Sequence, residues 1–423
     1  MSTIKRVTAR QIIDCKCRPM VEVDIETTSG VIGRGSAPTG SSVGMYEAFV
    51  LRDGNPAEYD GLSVREAVAH VKDVIGPAIV GMDVYDQRGV DERMIELDGT
   101  VNKKNLGGNA IYSVSIACIR AAAEETRTPV YRLISGQDIK TVPVPSFNVV
   151  NGGKYGDVVQ PFNEFLIVPY GAESIEEAVE IAVKCFQKLE GVLSRFAGIA
   201  PVVARSFGWA APSGDPGTVL ELIAEAVERC GYTNKVAFAL DCASSEMFDA
   251  KTNTYLLHGG RVPAAELIAY TRALSERFPI LFIEDLLDEN DWENYPIATR
   301  DITRSIMIGD DLIATDPARI RRAYETKAVE GFVLKPNQVG TLTEALDTHR
   351  FAREHGMFSV PSGRSGGVVG DIVMDLAVGL EVGFIKNGAP RSGERIDKLN
   401  FLIRACDITP GCAMADISAL ARF

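Results

Sequence analysis

The chain has 423 residues, 46% hydrophobic and 24% charged, with a formal net charge of −13. This is the composition of a soluble globular protein too long for one ordinary domain, and its charge offers no general attraction to nucleic acid or an anionic membrane. No apolar run approaches the ~20 residues needed to span a bilayer, and the start Met1-Ser2-Thr3-Ile4-Lys5-Arg6 lacks a signal-peptide core, which points to the cytoplasm. Eight scattered cysteines show no disulfide or zinc spacing, and Cys118, Cys185 and Cys230 lie on apolar helical patterns as core thiols. The four histidines, His70, His258, His349 and His355, read as surface residues, which disfavours a histidine metal site or triad.

Residues 1–135 read as an α+β unit. Ile4–Ile13 and Pro19–Thr27 have strand character, the second alternating as Val21-Glu22-Val23-Asp24-Ile25, and Ser29-Gly30 turns the chain into a third strand at Val31–Ser36. The small polar stretch 37–45 suits a flap over a site. Helical periodicity follows in Ser63–Gly76, Val84–Leu97 and Ala110–Thr126, and Gly136-Gln137-Asp138 is the expected boundary.

Residues 140–423 read as a βα barrel. Pro143–Val150 is a strand running into the turn Asn151-Gly152-Gly153, Asn163–Pro169 is a second with Glu164 near its start, and Glu173–Arg195 is a long amphipathic helix. Val236–Leu240 ends on Asp241. Further short apolar runs end on Glu284, Asp310 and Lys335, on Arg364-Ser365 through Pro361-Ser362-Gly363, and on Lys386. The charged ends at 284, 310, 335, 364 and 386 are 26, 25, 29 and 22 residues apart, with helix-like stretches such as Pro317–Ala328 and Leu342–His355 between them. Strand, helix, strand at that cadence describes a parallel barrel, whose catalytic groups sit at the C-terminal strand ends.

Asp241, Glu284 and Asp310 would then converge at one barrel mouth. Such a set of oxygen ligands suits Mg²⁺ and would repel itself without a cation. Lys335 and Lys386 come from later strand ends. A lysine beside a metal and another cation can have its pKa lowered enough to act as a general base. Arg364 and Ser365 supply a fork and a hydroxyl suited to a phosphate or phosphonate.

Several segments resemble the enolase family: Ile95–Thr100, Phe147–Gly153, Ile283-Glu284-Asp285, Gly309-Asp310-Asp311-Leu312, Leu334–Gly340 and Ile385–Pro390, in order along nearly the whole chain. The resemblance implies an α+β cap followed by an irregular barrel that opens with two strands and two helices, and a homodimer or higher homo-oligomer. It implies Mg²⁺ on Asp241, Glu284 and Asp310, and Lys335 as the base that takes the C2 proton of 2-phosphoglycerate. Lys386 would hold the substrate carboxylate, Arg364 and Ser365 the phosphate, and Glu164 would be an active-site carboxylate.

The departures from the family pattern are as informative. Where enolases read Gly-Asp-Glu-Gly-Gly-Phe-Ala-Pro, this chain has Arg205–Pro212, with Phe207 in place of the glutamate that helps expel the C3 hydroxyl. Tyr155 and Gly363 replace two active-site histidines, Thr39 replaces a flap serine that binds a second magnesium, Asn163 replaces a glutamine, and Gly367–Gly370 replaces Glu-Thr-Glu-Asp. The enolate-forming set is kept and the water-expelling set is rebuilt. The expectation is an enolate-forming enzyme on a phosphorylated or phosphonylated three-carbon acid, with Tyr155, Phe207 and Thr39 shaping the substrate pocket. An enolase-like carboxyphosphonoenolpyruvate synthase of phosphonate biosynthesis is a precedent. The alternatives are a true enolase and a non-catalytic binding or structural homologue.

Overall fold

The computed structural model describes residues 2–40 and 44–423. The three N-terminal strands, Ile4–Ile13, Pro19–Thr27 and Ile32–Ser36, form an antiparallel sheet in chain order. Alternation sorts its faces: Val21, Val23 and Ile25 are buried, while Glu22, Asp24 and Glu26 pair with Arg10, Arg34, Lys5 and Arg6 on the other side. Helix Gly108–Thr126 lies on the apolar face. It approaches so closely that a Cβ on Gly33 or Gly35 would overlap the helix backbone at Ala117, Ala121 and Ser113.

The remaining cap helices begin and end where capping chemistry directs. The Asp86 carboxylate accepts from Gly89 N ahead of Gln87–Asp98, and Gly99 closes that helix in the left-handed region. The helical stretch expected over Ser63–Gly76 runs instead from Arg65 to Ile79, through a π-turn at Val71–Ile75.

Eight strands form the barrel. Their order around the sheet is Phe358–Pro361, Gly331–Leu334, Ile306–Gly309, Ile280–Glu284, Ala237–Asp241, Val158–Val168, Val144–Tyr155 and Phe384–Lys386. A bridge between Ser362 and Lys386 joins the two ends. Val158–Val168 is antiparallel to both its neighbours and the other pairings are parallel. After the opening hairpin come helices Ile175–Ala197 and Pro216–Arg229, so the barrel starts with two strands and two helices. The expected turn Asn151-Gly152-Gly153 is part of strand Val144–Tyr155. Its pairing with Val158–Val168 continues past it through two irregularities, and Gly152 is there because a Cβ would overlap the Phe162 carbonyl.

The barrel interior follows from the two-residue period of a strand. Ala237, Ala239, Phe282, Ile306, Ile308, Val333, Val360 and Phe384 fill it as one apolar cluster, and the Phe282 and Phe384 rings stack 5.3 Å apart. Advancing each row by two residues reaches Asp241, Glu284, Asp310, Lys335, Ser362 and Lys386 at the same rim. Leu166 leads likewise to Glu164, on the strand that runs the other way.

Cap and barrel are joined by buried polar contacts. The Asp91 carboxylate accepts from Thr343 N at 3.0 Å and Oγ1 at 2.6 Å, Lys103 pairs with Glu344 at 2.9 Å, and Ala48 N donates to Gln338 O at 2.6 Å. No helix among the described residues is long and apolar enough to cross a membrane.

One histidine departs from the surface reading. His349 is buried, with Nδ1 3.0 Å from Ser359 Oγ, because it sits on the inner face of helix Leu342–Glu354. Burial, with Arg353 and Arg350 adding to it, lowers its pKa from 6.5 to about 4. The unfolded chain therefore takes up a proton near pH 6.5 that the folded chain refuses until about 4. Stability present above pH 6.5 is lost as the pH falls through that window, by roughly 3 kcal/mol at most. Urea unfolding at pH 7 and pH 4.5 should show a smaller pH effect in His349→Gln than in the parent chain; an equal effect would assign the acid sensitivity elsewhere.

Candidate active site

Glu164, Asp241, Asp310, Lys335, Ser362 and Lys386 line a cavity of about 550 Å³, within the size range of small-molecule sites, and Glu284 is fully buried against Lys386. The cavity floor interleaves acids and ammoniums. Lys386 Nζ lies 3.1 Å from Asp241 Oδ2 and also pairs with Glu284, while Lys335 pairs with Asp310. Strand register accounts for this: Glu284 is level with Asp241 across a parallel pair, and Asp241 with Glu164 across an antiparallel one. Gln338 Nε2 donates to Asp310 Oδ1 at 2.8 Å, Asn163 Nδ2 to Asp241 Oδ2 at 3.2 Å, and Asn148 Nδ2 to Glu164 Oε1 at 3.1 Å.

Burial and mutual repulsion set the protonation of these groups. Burial, then Asp241, pushes Glu284 well up, and Lys386 only partly offsets them; burial also raises Glu164. Asp310 goes the other way, because Lys335 and Lys386 outweigh the effect of burial. Burial alone would lower Lys335 and Lys386, but Asp310 in the first case and Asp241 and Glu284 in the second hold both ammoniums above the ordinary range.

Asp285 and Asp311 extend the acidic cluster beyond the expected ligands. One oxygen each from Asp285, Asp310 and Asp311 lies within 4.8 Å of the others. Asp285 is occupied in holding the loop, accepting from Asp310 N at 2.9 Å and Asp311 N at 2.7 Å. Burial and the neighbouring acids raise Asp285 to about 7 and Asp311 to about 9.

The donor set fits a divalent cation. The carboxylates of Asp241, Glu284, Asp310 and Glu164 outnumber the ammoniums of Lys335 and Lys386 by two. Glu284 Oε1 is buried without a hydrogen-bond partner among the described residues. An orphaned carboxyl oxygen and two carboxyl groups left over after the ammoniums are paired are what an oxygen-ligated dication would satisfy, in place of the protons that burial otherwise favours on Glu164 and Glu284.

The remaining expected residues divide into two groups. Arg364, Ser365 and Tyr155 line the cavity with the acids and lysines. Burial raises the Tyr155 phenol, so the residue is a neutral donor. Phe207 does not line it: its backbone turns in the left-handed region at φ 67° and its ring lies beneath the Arg395 guanidinium at 4.7 Å. Phe207 therefore meets the cavity only through Arg395. Nor does Thr39. Its carbonyl accepts from Gly366 N and Arg18 Nη2, both at 3.0 Å, and its hydroxyl faces Arg52, so it anchors the flap. Of the 37–45 flap, residues 41–43 lie outside the described residues; Ala37 and Thr39 are buried.

Three residues that matter here carried no signal at a strand end. Glu47, from the cap, makes a two-pronged pair with Arg364 at 2.8 and 3.1 Å, both side chains buried. Arg395 and Lys398, from helix Gly393–Asp407, are buried and line the cavity. The Arg-x-x-Lys spacing, which puts both on one helix face, was the available clue.

Comparison with known proteins agrees with this architecture. Residues 4–134 match the family described as Enolase, N-terminal domain, and residues 139–413 match Enolase, C-terminal TIM barrel domain. A curated protein named Enolase from Methanopyrus kandleri (strain AV19) is 40% identical over 417 residues, covering 98% of this chain and 97% of that protein. With both domains matched and the similarity running end to end, the chain belongs to the enolase family, a family of carbon–oxygen lyases.

Proposed function

We propose that this enzyme forms an enolate from a phosphorylated or phosphonylated three-carbon 2-hydroxy acid of the 2-phosphoglycerate class, with proton abstraction no longer efficiently coupled to dehydration. The observation that carries the reading is the interleaving of Asp241, Glu284 and Asp310 with Lys335 and Lys386 in buried ion pairs at one barrel rim. Removing a proton next to a carboxylate needs a base and a strong positive field on the same side of the substrate, and these residues supply both.

Asp241, Glu284 and Asp310 would hold Mg²⁺, which when bound would stabilise the negative charge gathering on the substrate carboxylate. Lys386 lies among the same acids and would orient that carboxylate. Arg364 and Ser365 would receive the phosphorus group, with Glu47 fixing the plane of the guanidinium. Lys335 would take the C2 proton at Nζ. It can do so only when the charge of Asp310 is engaged elsewhere, since that carboxylate otherwise keeps it an ammonium. Dehydration needs an acid at C3. Phe207 cannot donate a proton, and losing a general acid costs about 10²–10⁴-fold.

A second reading, full dehydration of 2-phosphoglycerate, is favoured by the 40% identity to a curated enolase along 98% of the chain. In it Glu164, whose proton burial helps to hold, would act at C3 in place of the missing glutamate. A phosphonate substrate, as in a carboxyphosphonoenolpyruvate synthase, is the finer form of the first reading; Gly363 and the absence of an acid at 207 support it.

Two measurements test this. Titration calorimetry should detect Mg²⁺ binding that Asp310→Ala weakens at least about tenfold, the worth of one charged ligand contact; an unchanged affinity would move the metal elsewhere. In D₂O with Mg²⁺ and 2-phosphoglycerate, C2 exchange should outpace release of phosphoenolpyruvate by about a hundredfold or more, and Lys335→Ala should abolish exchange. Product release that keeps pace with exchange, at about 10 per second or faster, would establish the second reading. Exchange that survives Lys335→Ala would remove Lys335 as the base.

A further inference from the structure

The proposed chemistry leaves two of the cavity's buried cations without a task. Arg395 and Lys398 stand three residues apart on one face of helix Gly393–Asp407, 4% and 3% exposed. Two glycines let them in. A Cβ on Gly363 would overlap Lys398 Nζ, and one on Gly388 would come within 2.6 Å of Arg395 Nε. Any side chain at position 363 would therefore push the ammonium out of the place it holds.

Their local partners are incomplete. Arg395 Nη1 donates to Ser206 O at 2.7 Å, Nε stands 3.4 Å from Glu394, and the guanidinium lies over Phe207. The only ion pair of Lys398 among the described residues is a long one, 3.8 Å to Asp371. Asn387, in the same cavity wall and next in the chain to Gly388, has neither side-chain amide atom hydrogen-bonded among the described residues. A buried ammonium with so loose a partner is costly unless an anion meets it.

We propose that Lys398 and Arg395 form a second anion subsite, which receives an additional carboxylate on the substrate. The inference rests on the reading above, because it needs the first carboxylate at Lys386 and the phosphorus group at Arg364. The substrate class narrows accordingly to phosphorylated or phosphonylated acids that carry one more carboxylate than 2-phosphoglycerate. Phe207 then has a role in binding: its ring supports the Arg395 guanidinium from below.

The test compares 2-phosphonopropionate with phosphonosuccinate, which differ by one carboxylate, by titration calorimetry on the full chain with Mg²⁺. Phosphonosuccinate should bind at least about tenfold tighter, as expected for a charge-assisted contact. Lys398→Met should remove that preference while changing 2-phosphonopropionate affinity less than about threefold, and Lys398→Arg should retain it. Should Lys398→Met fail to fold by circular dichroism, Gly363→Ala, which displaces the ammonium without removing it, reads the same contrast. Equal affinity of the two probes for the unaltered chain, or a preference that survives Lys398→Met and Gly363→Ala, overturns the subsite and leaves the reading of the main site standing. If neither probe binds, the main-site reading fails and the subsite falls with it.

Discussion

A carboxylate taken out of water must be met by a positive charge or a proton, and this requirement governs the barrel mouth. Asp241 and Glu284 are brought level by strand register, Asp310 is held just past its strand by Asp285, and Glu164 joins them from the antiparallel neighbour. Lys335 and Lys386 answer part of that charge, and the raised pKa of Glu164 and Glu284 answers another part. The same geometry that strains the floor electrostatically gives it a use. In the proposed reading, a dication entering the acids would loosen the hold of Asp310 on Lys335, and metal affinity and the basicity of Lys335 would be linked through one carboxylate.

The cap takes part in the site as well as covering it. Glu47 reaches over to fix Arg364, and Arg18 ties the base of the flap through the carbonyls of Thr39 at 3.0 Å and Gly40 at 2.9 Å. Gly366 is part of that tie: its N–H bonds Thr39 O, and a Cβ there would overlap Arg18 and Asp14. The Arg364 end of the cavity, proposed to receive the phosphorus group, is thus held from both domains.

Residues at or just past the ends of apolar strand runs were legible in the sequence, and residues within helices or beyond the flap were not. Asp241, Glu284, Asp310, Lys335 and Lys386 announce themselves because each follows an apolar run, and a two-residue period then fixes which way each side chain points. Glu47 follows the glycine- and serine-rich flap, where no period exists to aim it. Arg395 and Lys398 sit on a helix whose amphipathic pattern does not distinguish a cation facing a cavity from one facing solvent. Asn151-Gly152-Gly153 was misread as a turn because glycines that break a strand and glycines that let strands approach closely look alike in a sequence. His349 stands between the polar Thr348 and Arg350 in the chain, but on its helix face it lies beside the buried Ala345 and Ala352, and that roughly 3.6-residue spacing was the sign of burial.

The replacements around the cavity make most sense taken together. A glutamate at 207 would have an anionic carboxylate beneath Arg395 and would compete for it; a phenyl ring supports the guanidinium without neutralising it. A histidine at 363 would occupy the space of the Lys398 ammonium, whereas glycine leaves that ammonium in the wall. Both changes act in one direction, removing a proton donor and retaining a cation beside it. In the proposed reading, the region where an enolase would manage a departing hydroxyl is walled by two cations whose acid partners stand off, Arg395 at 3.4 Å from Glu394 and Lys398 at 3.8 Å from Asp371, while the acids and lysines proposed to activate C2 stay at the barrel rim. On that reading the replacements would change what the second half of the substrate is and leave the enolate-forming groups in place.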